Sequence, residues 1–182
     1  MKFITPAVLL VQMITLSPSF PWFLDRGLED RVNEMRVLFW NKKLFKLYSD
    51  YVDIQLKMRI GKSIETMRND RKNVYRISKR LDFKGYKDFL KASHNEIVSR
   101  FFYQMLNPPK KKRRTIKNAA YLRLALLLSL MFAHFDDGMK IVDKEISGNF
   151  AKLRYSGNGF NMVTYFIFKN NMWYISDKDL IK

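Results

Sequence analysis

Two apolar periods divide this chain, and the change falls at Asp136-Asp137-Gly138. Before that triplet, apolar residues recur at three- and four-residue steps, the spacing that lines one face of a helix. Leu28, Val32, Met35, Phe39 and Trp40 make one such stripe, and Leu44, Leu47, Tyr48, Tyr51, Ile54 and Met58 continue it towards Gly61. A break is expected near Asn41-Lys42-Lys43. After the triplet, Phe150, Lys152 and Arg154 alternate against Ala151, Leu153 and Tyr155, the period of a half-buried strand. Helices first and strands last make one α+β domain the economical reading. With 47% hydrophobic residues in 182, the chain can bury the core such a domain needs.

The strands follow in series. "MKIVDKEIS" ends at Gly148, "NFAKLRYS" at the turn "GNG", and "FNMVTYFIF" at "KNN", before a closing "MWYIS". With Asn170-Asn171 in the turn, Phe168 faces Trp173 across the ladder, and Phe166 and Ile175 extend that face. Tyr165, Ile167 and Tyr174 point the other way. Both faces are rather apolar, so cover is expected on both.

Residues 57–80 carry nine basic side chains against Glu65 and Asp70, with a thinner helical stripe of Ile60, Ile64, Met67, Val74, Tyr75, Ile77 and Leu81. They read as a basic helical insertion. "DFKGYKDF" reads as a turn with aromatic anchors, and 87–106 as a helix ending before Pro108-Pro109, which cannot continue it. A basic loop, 107–117, then leads into Ala119–Phe135, apolar on almost every side. That run holds Arg123 and reaches His134 too soon to span a bilayer, so a central core helix is expected.

"MKFITPAVLLVQMITLSPSF" has a basic start, an uncharged run and a small-residue zone, the layout of a secretory signal peptide over 1–19. Residues 20–182 are then a single α+β domain, periplasmic or secreted. An uncleaved membrane anchor and an ordinary buried segment are the other two readings. Export removes the nuclear-import reading of "PKKKRR".

The net charge of +17 attracts polyanions. Lys110, Lys111, Lys112, Arg113, Arg114 and Lys117 crowd the basic loop, and residues 97–135 contain no Asp or Glu. They are the candidate anion-binding residues. Anionic lipid or an envelope polymer is the expected partner, nucleic acid the alternative, and a homodimer stays open. No aromatics interleave with the loop as base-stacking platforms would.

The absence of cysteine excludes disulfides and thiolate chemistry, and two histidines are too few for an imidazole metal cluster. No cofactor, metal or catalytic residue is assigned. An isomerase-type site would need a carboxylate base, from Asp50, Asp53, Asp136 or Asp137, beside Tyr48, Tyr51 or Tyr165. No fixed spacing ties these together, Asp136-Asp137-Gly138 suits a turn, and His134 suits packing or capping. The expectation is a non-enzymatic protein, with a small cavity-based enzyme as the alternative.

The run "KIVDKEISGNFAKLRYSGNGFNMVTYFIFKNNMWYIS" is similar to the last strands of cone-shaped domains of the nuclear transport factor 2-like superfamily, and resembles its periplasmic members of unassigned function. Gly148, Ala151, Leu153, the turn Lys169-Asn170-Asn171, and Trp173 with Ile175 carry the resemblance. It implies a helical N-terminal two thirds packed on a curved C-terminal antiparallel sheet, with a cavity between. Related folds use that cavity for isomerisation or dehydration, or only for binding. The cavity residues it implies here are Trp40, Tyr48, Phe166, Phe168 and Trp173, around a small apolar ligand.

Overall fold

The structure, a computed structural model, describes residues 21–108, 116 and 118–177. Within them seven helices precede a four-stranded antiparallel sheet, an α+β arrangement. The helices are α1 (Pro21–Trp40), α2 (Leu44–Tyr51), α3 (Ile54–Asn69), α4 (Val74–Arg80), α5 (Tyr86–Lys91), α6 (His94–Leu106) and α7 (Ala119–Ala133). The strands are β1 (Lys140–Ser147), β2 (Phe150–Gly157), β3 (Phe160–Lys169) and β4 (Met172–Ser176), paired in chain order. The signal-peptide and basic-loop readings fall on residues 1–20, 109–115 and 117, outside the described residues.

The sheet is a meander because every connection is a tight turn. Asn170 and Asn171 both have positive φ, 52° and 61°, as a two-residue turn of the primed kind requires. That turn sets the register: Phe168 pairs with Trp173 and Phe166 with Ile175, as the alternation predicts. Asn158-Gly159 does the same between β2 and β3. Gly157, just before it, lies so close to Gly138 that a Cβ would collide with the Gly138 carbonyl oxygen.

The inner face carries Ala151, Leu153, Tyr155, Phe166 and Trp173, all buried. Helix α1 crosses it with Leu28, Val32 and Met35 turned inward. Polar contacts fix the crossing: the Trp173 indole donates to the Leu24 carbonyl at 3.1 Å, and Lys144 on β1 pairs with Glu29 at 2.6 Å and with Asp25. The outer face is mixed rather than evenly apolar. Ile167 is buried, but Lys152 and Arg154 pair with Glu145 and Asp143.

Three expectations about the helices change. The stripe from Leu44 to Met58 is not one helix, because Val52 leaves it to form a parallel bridge with Ile175. Asp53 then donates its N–H to the Ile175 carbonyl at 2.9 Å and caps α3 by accepting from the Gln55 amide. The 87–106 run likewise splits at Ala92-Ser93, where Ser93 caps α6 by accepting from the Glu96 amide at 3.1 Å. And "GYKDF" is not only a turn, since α5 begins at Tyr86; Phe83 and Phe89 do anchor it, edge to face at 5.5 Å.

The basic segment at 57–80 is integral to the core. Ile60, Ile64, Met67 and Ile77 are fully buried, while Asp70 breaks it into α3 and α4 by accepting from the Lys72 and Asn73 amides. The expected central core helix is corrected too. Helix α7 lies against α3 with Leu124, Leu128, Met131 and Phe132 buried, but leaves Leu122, Leu126 and Leu130 exposed.

Candidate binding groove

Strand β4 is only five residues long and pairs with the second half of β3, from Tyr165 to Lys169. The first half, Phe160 to Thr164, therefore has no strand on that side among the described residues. Helix α7 runs past this gap. Between them lies an apolar groove of ≈ 640 Å³, inside the roughly 300–1,000 Å³ typical of small-molecule sites. Leu126, Leu127, Leu130 and Met131 of α7 form one wall, Phe160 to Tyr165 the other, and Leu56 and Ile175 lie between.

Few polar groups reach it. Asp177 is held by Arg59 at 2.8 Å, so its charge is balanced. Arg123 stands exposed on the helical wall. The Ser176 hydroxyl is buried and has no hydrogen-bond partner among the described residues. A buried hydroxyl without a partner forgoes its bonds to water, and this oxygen lies beneath the groove surface rather than on it. This chemistry suits an apolar body with a small polar or anionic end.

A second concavity, ≈ 430 Å³, opens beside α4 and is lined by Tyr75, Arg76, Lys79, Arg80, Asp82, Phe83 and Ile116. Lys79 sits 4.6 Å above the Tyr75 ring. Ile116 is buried there, and Asn118 bonds Asp70 at the end of α3. Ile116, at the far end of the 107–117 connection, is thus anchored against the basic helix. Lys110 to Arg114 and Lys117 themselves lie outside the described residues.

None of the five aromatic residues expected in a cavity lines the groove. Trp40 is exposed, its indole donating to the Phe135 carbonyl at 3.1 Å. Tyr48 is buried near Phe102, ring centroids 6.1 Å apart, and burial pushes its hydroxyl up to about 12. Phe166, Phe168 and Trp173 do come together, with Phe168 and Trp173 at 5.2 Å, but they pack into the core under the inner face. The groove opens instead at the edge of the sheet.

Three of the four carboxylates considered for catalysis are engaged in structure. Asp53 caps α3 and pairs with Lys169 at 2.9 Å, Asp50 accepts from Ser49, and Asp136 accepts the Asp137 amide in the turn after α7. Tyr51 donates to Glu34. His134 is buried against Phe135 and Tyr155. Among the described residues no cluster of His, Asp or Glu could hold a metal, and no helix is long and apolar enough to cross a membrane. No family model matches the chain, and neither a curated protein nor a solved structure is similar to it.

Sequence reasoning missed the groove. Its signal was present in α7, whose apolar residues cover more of the circumference than one neighbour can bury.

Proposed function

We propose that this chain is an exported, non-enzymatic binding module of the bacterial cell envelope, built on a cone-like domain of the nuclear transport factor 2-like kind. It holds a small apolar or amphiphilic molecule between α7 and the open edge of β3. The groove itself carries this reading: its size suits a ligand, its walls are largely apolar, and Arg123 supplies a cationic handle. Among the described residues Asp50, Asp53 and Asp136 are held in structural contacts, which supports binding over isomerase-type chemistry. Export rests on the layout of residues 1–19.

Titration of the purified full chain with a fluorescent fatty acid tests the ligand reading. Saturable one-to-one binding, displaced by unlabelled amphiphiles, is expected. Absence of saturable binding by every amphiphile tried removes this function. Export is tested separately, by fractionating expressing cells and weighing the product. A full-length cytoplasmic protein contradicts it.

A further inference from the structure

The rim of the groove is the least expected surface of the molecule. A pocket that takes its ligand from water usually carries polar groups around its mouth. Here Leu126 (59% exposed) and Leu130 stand on one side and Phe160 (69% exposed) and Val163 on the other. Leu122, one turn before Leu126 on α7, extends the apolar stripe beyond the groove. Tyr103, Met105 and Leu106 on α6 are exposed as well, and Ser129 of α7 contacts the Met105 sulfur at 3.9 Å, so the two helices share this face.

The charge of α7 is wholly basic, and Asp177, which lines the groove, is paired with Arg59. No acidic residue occurs from 97 to 135, the stretch that includes most of α6 and all of α7. Where α7 begins, Ile116 and Asn118 are tied to the α3–α4 corner, which places Arg76, Lys79 and Arg80 beside the start of the helix. Asp82 is the one carboxylate among the described residues that line that concavity.

We infer that this face docks on an anionic lipid bilayer, with α7 lying along the headgroups, its leucines in the acyl boundary and the groove mouth open to lipid. An interfacial helix needs an apolar stripe bordered by cations, not the length to span, and a lipid surface complements both features together. A second copy of the chain would set cationic face against cationic face. A nucleic acid would meet the cations but leave the leucines and Phe160 in water. Docking follows from the exposed face alone. That the groove is filled from the membrane, by a lipid acyl chain, rests on the ligand reading above.

Flotation of the full chain with phosphatidylcholine vesicles, plain or mixed with phosphatidylglycerol, tests the docking. Co-flotation with the anionic vesicles only, weakened by salt, is expected. The variant Leu122→Glu isolates the face, because Leu122 does not line the groove. It should weaken vesicle binding by about tenfold or more, while fatty-acid affinity and melting temperature stay unchanged. Equal binding to both vesicle types, no binding to either, or an unaffected Leu122→Glu overturns the docking. So does a dimer that Leu122→Glu dissolves, or a preference for single-stranded nucleic acid over anionic vesicles. Vesicle binding without fatty-acid binding would retain the docking face and reject the ligand groove, and the reverse result would do the opposite.

Discussion

The imidazole of His134 lies 4.8 Å from the ring of Tyr155, and among the described residues neither ring nitrogen nor the tyrosine hydroxyl has a hydrogen-bond partner. Both side chains are fully buried. Burial lowers the histidine pKa from its usual 6.5 to about 3, with the Arg36 charge adding to the effect, and raises that of Tyr155.

A depressed histidine pKa has a definite consequence for acid stability. Above pH 6.5 the imidazole is neutral in both folded and unfolded chains and contributes no slope. Between pH 6.5 and about 3 the unfolded chain binds the proton and the folded one does not. Stability should then fall by about 1 kcal/mol per pH unit as pH drops. Urea midpoints measured across this window for the protein and for His134→Phe should diverge, with the variant losing less. Parallel curves would show that His134 takes up its proton while folded.

Gly157 is constrained by space. Its Cα faces the Gly138 carbonyl, and an added methyl group has nowhere to go without moving the chain before β1. Gly157→Ala should cost about 3 kcal/mol, read as a shift in denaturant midpoint. Gly148→Ala meets no neighbour within 4 Å and should cost less, through its φ of 54° alone.

Asp53 joins the helical part to the sheet. It caps α3, pairs with Lys169 of β3, and its own amide reaches Ile175 of β4. Removing the side chain in Asp53→Ala should cost about 2 kcal/mol, since a cap and a partner for Lys169 go together. Asp53→Asn keeps a capping oxygen and should cost less. Equal losses in the two variants would show that the ion pair outweighs the cap.

The groove can be altered without touching the core. Leu130→Trp places a large side chain at its rim and should weaken amphiphile binding by about tenfold, with the melting temperature little changed because Leu130 is about half exposed. Ser176→Ala removes a buried hydroxyl that has no protein partner. It should leave the free protein as stable or raise it by about 1 kcal/mol, with amphiphile affinity unchanged because the oxygen is covered. Calorimetry on both variants checks these outcomes.

The readings that held are those governed by neighbours along the chain. The asparagine pair at 170–171 tolerates positive φ, so the hairpin turn and its Phe168–Trp173 register could be read directly. The break after Trp40 was visible in the same way, and Lys42 takes a φ of 57° there. The breaks at Val52 and Ala92 were not visible. Val52 leaves its helix for a bridge to Ile175, more than a hundred residues away, and Arg68 of α3 bonds the Ala92 carbonyl. No local pattern records those partners.

The candidate site follows the same division. By itself the sequence determined an α+β chain, a strongly basic middle, and a helical run at 119–135 with apolar residues on nearly every side, because composition and period are local properties. Only the tertiary structure decided that Phe166 and Trp173 fill the core, that the basic helix meets the end of the basic loop, and that Leu126 and Leu130 border an open groove. Whether an apolar side chain becomes core or surface depends on which elements arrive beside it. Here β4 stops at Ser176, its fifth residue, and leaves half of β3 and one side of α7 with nothing to cover them among the described residues.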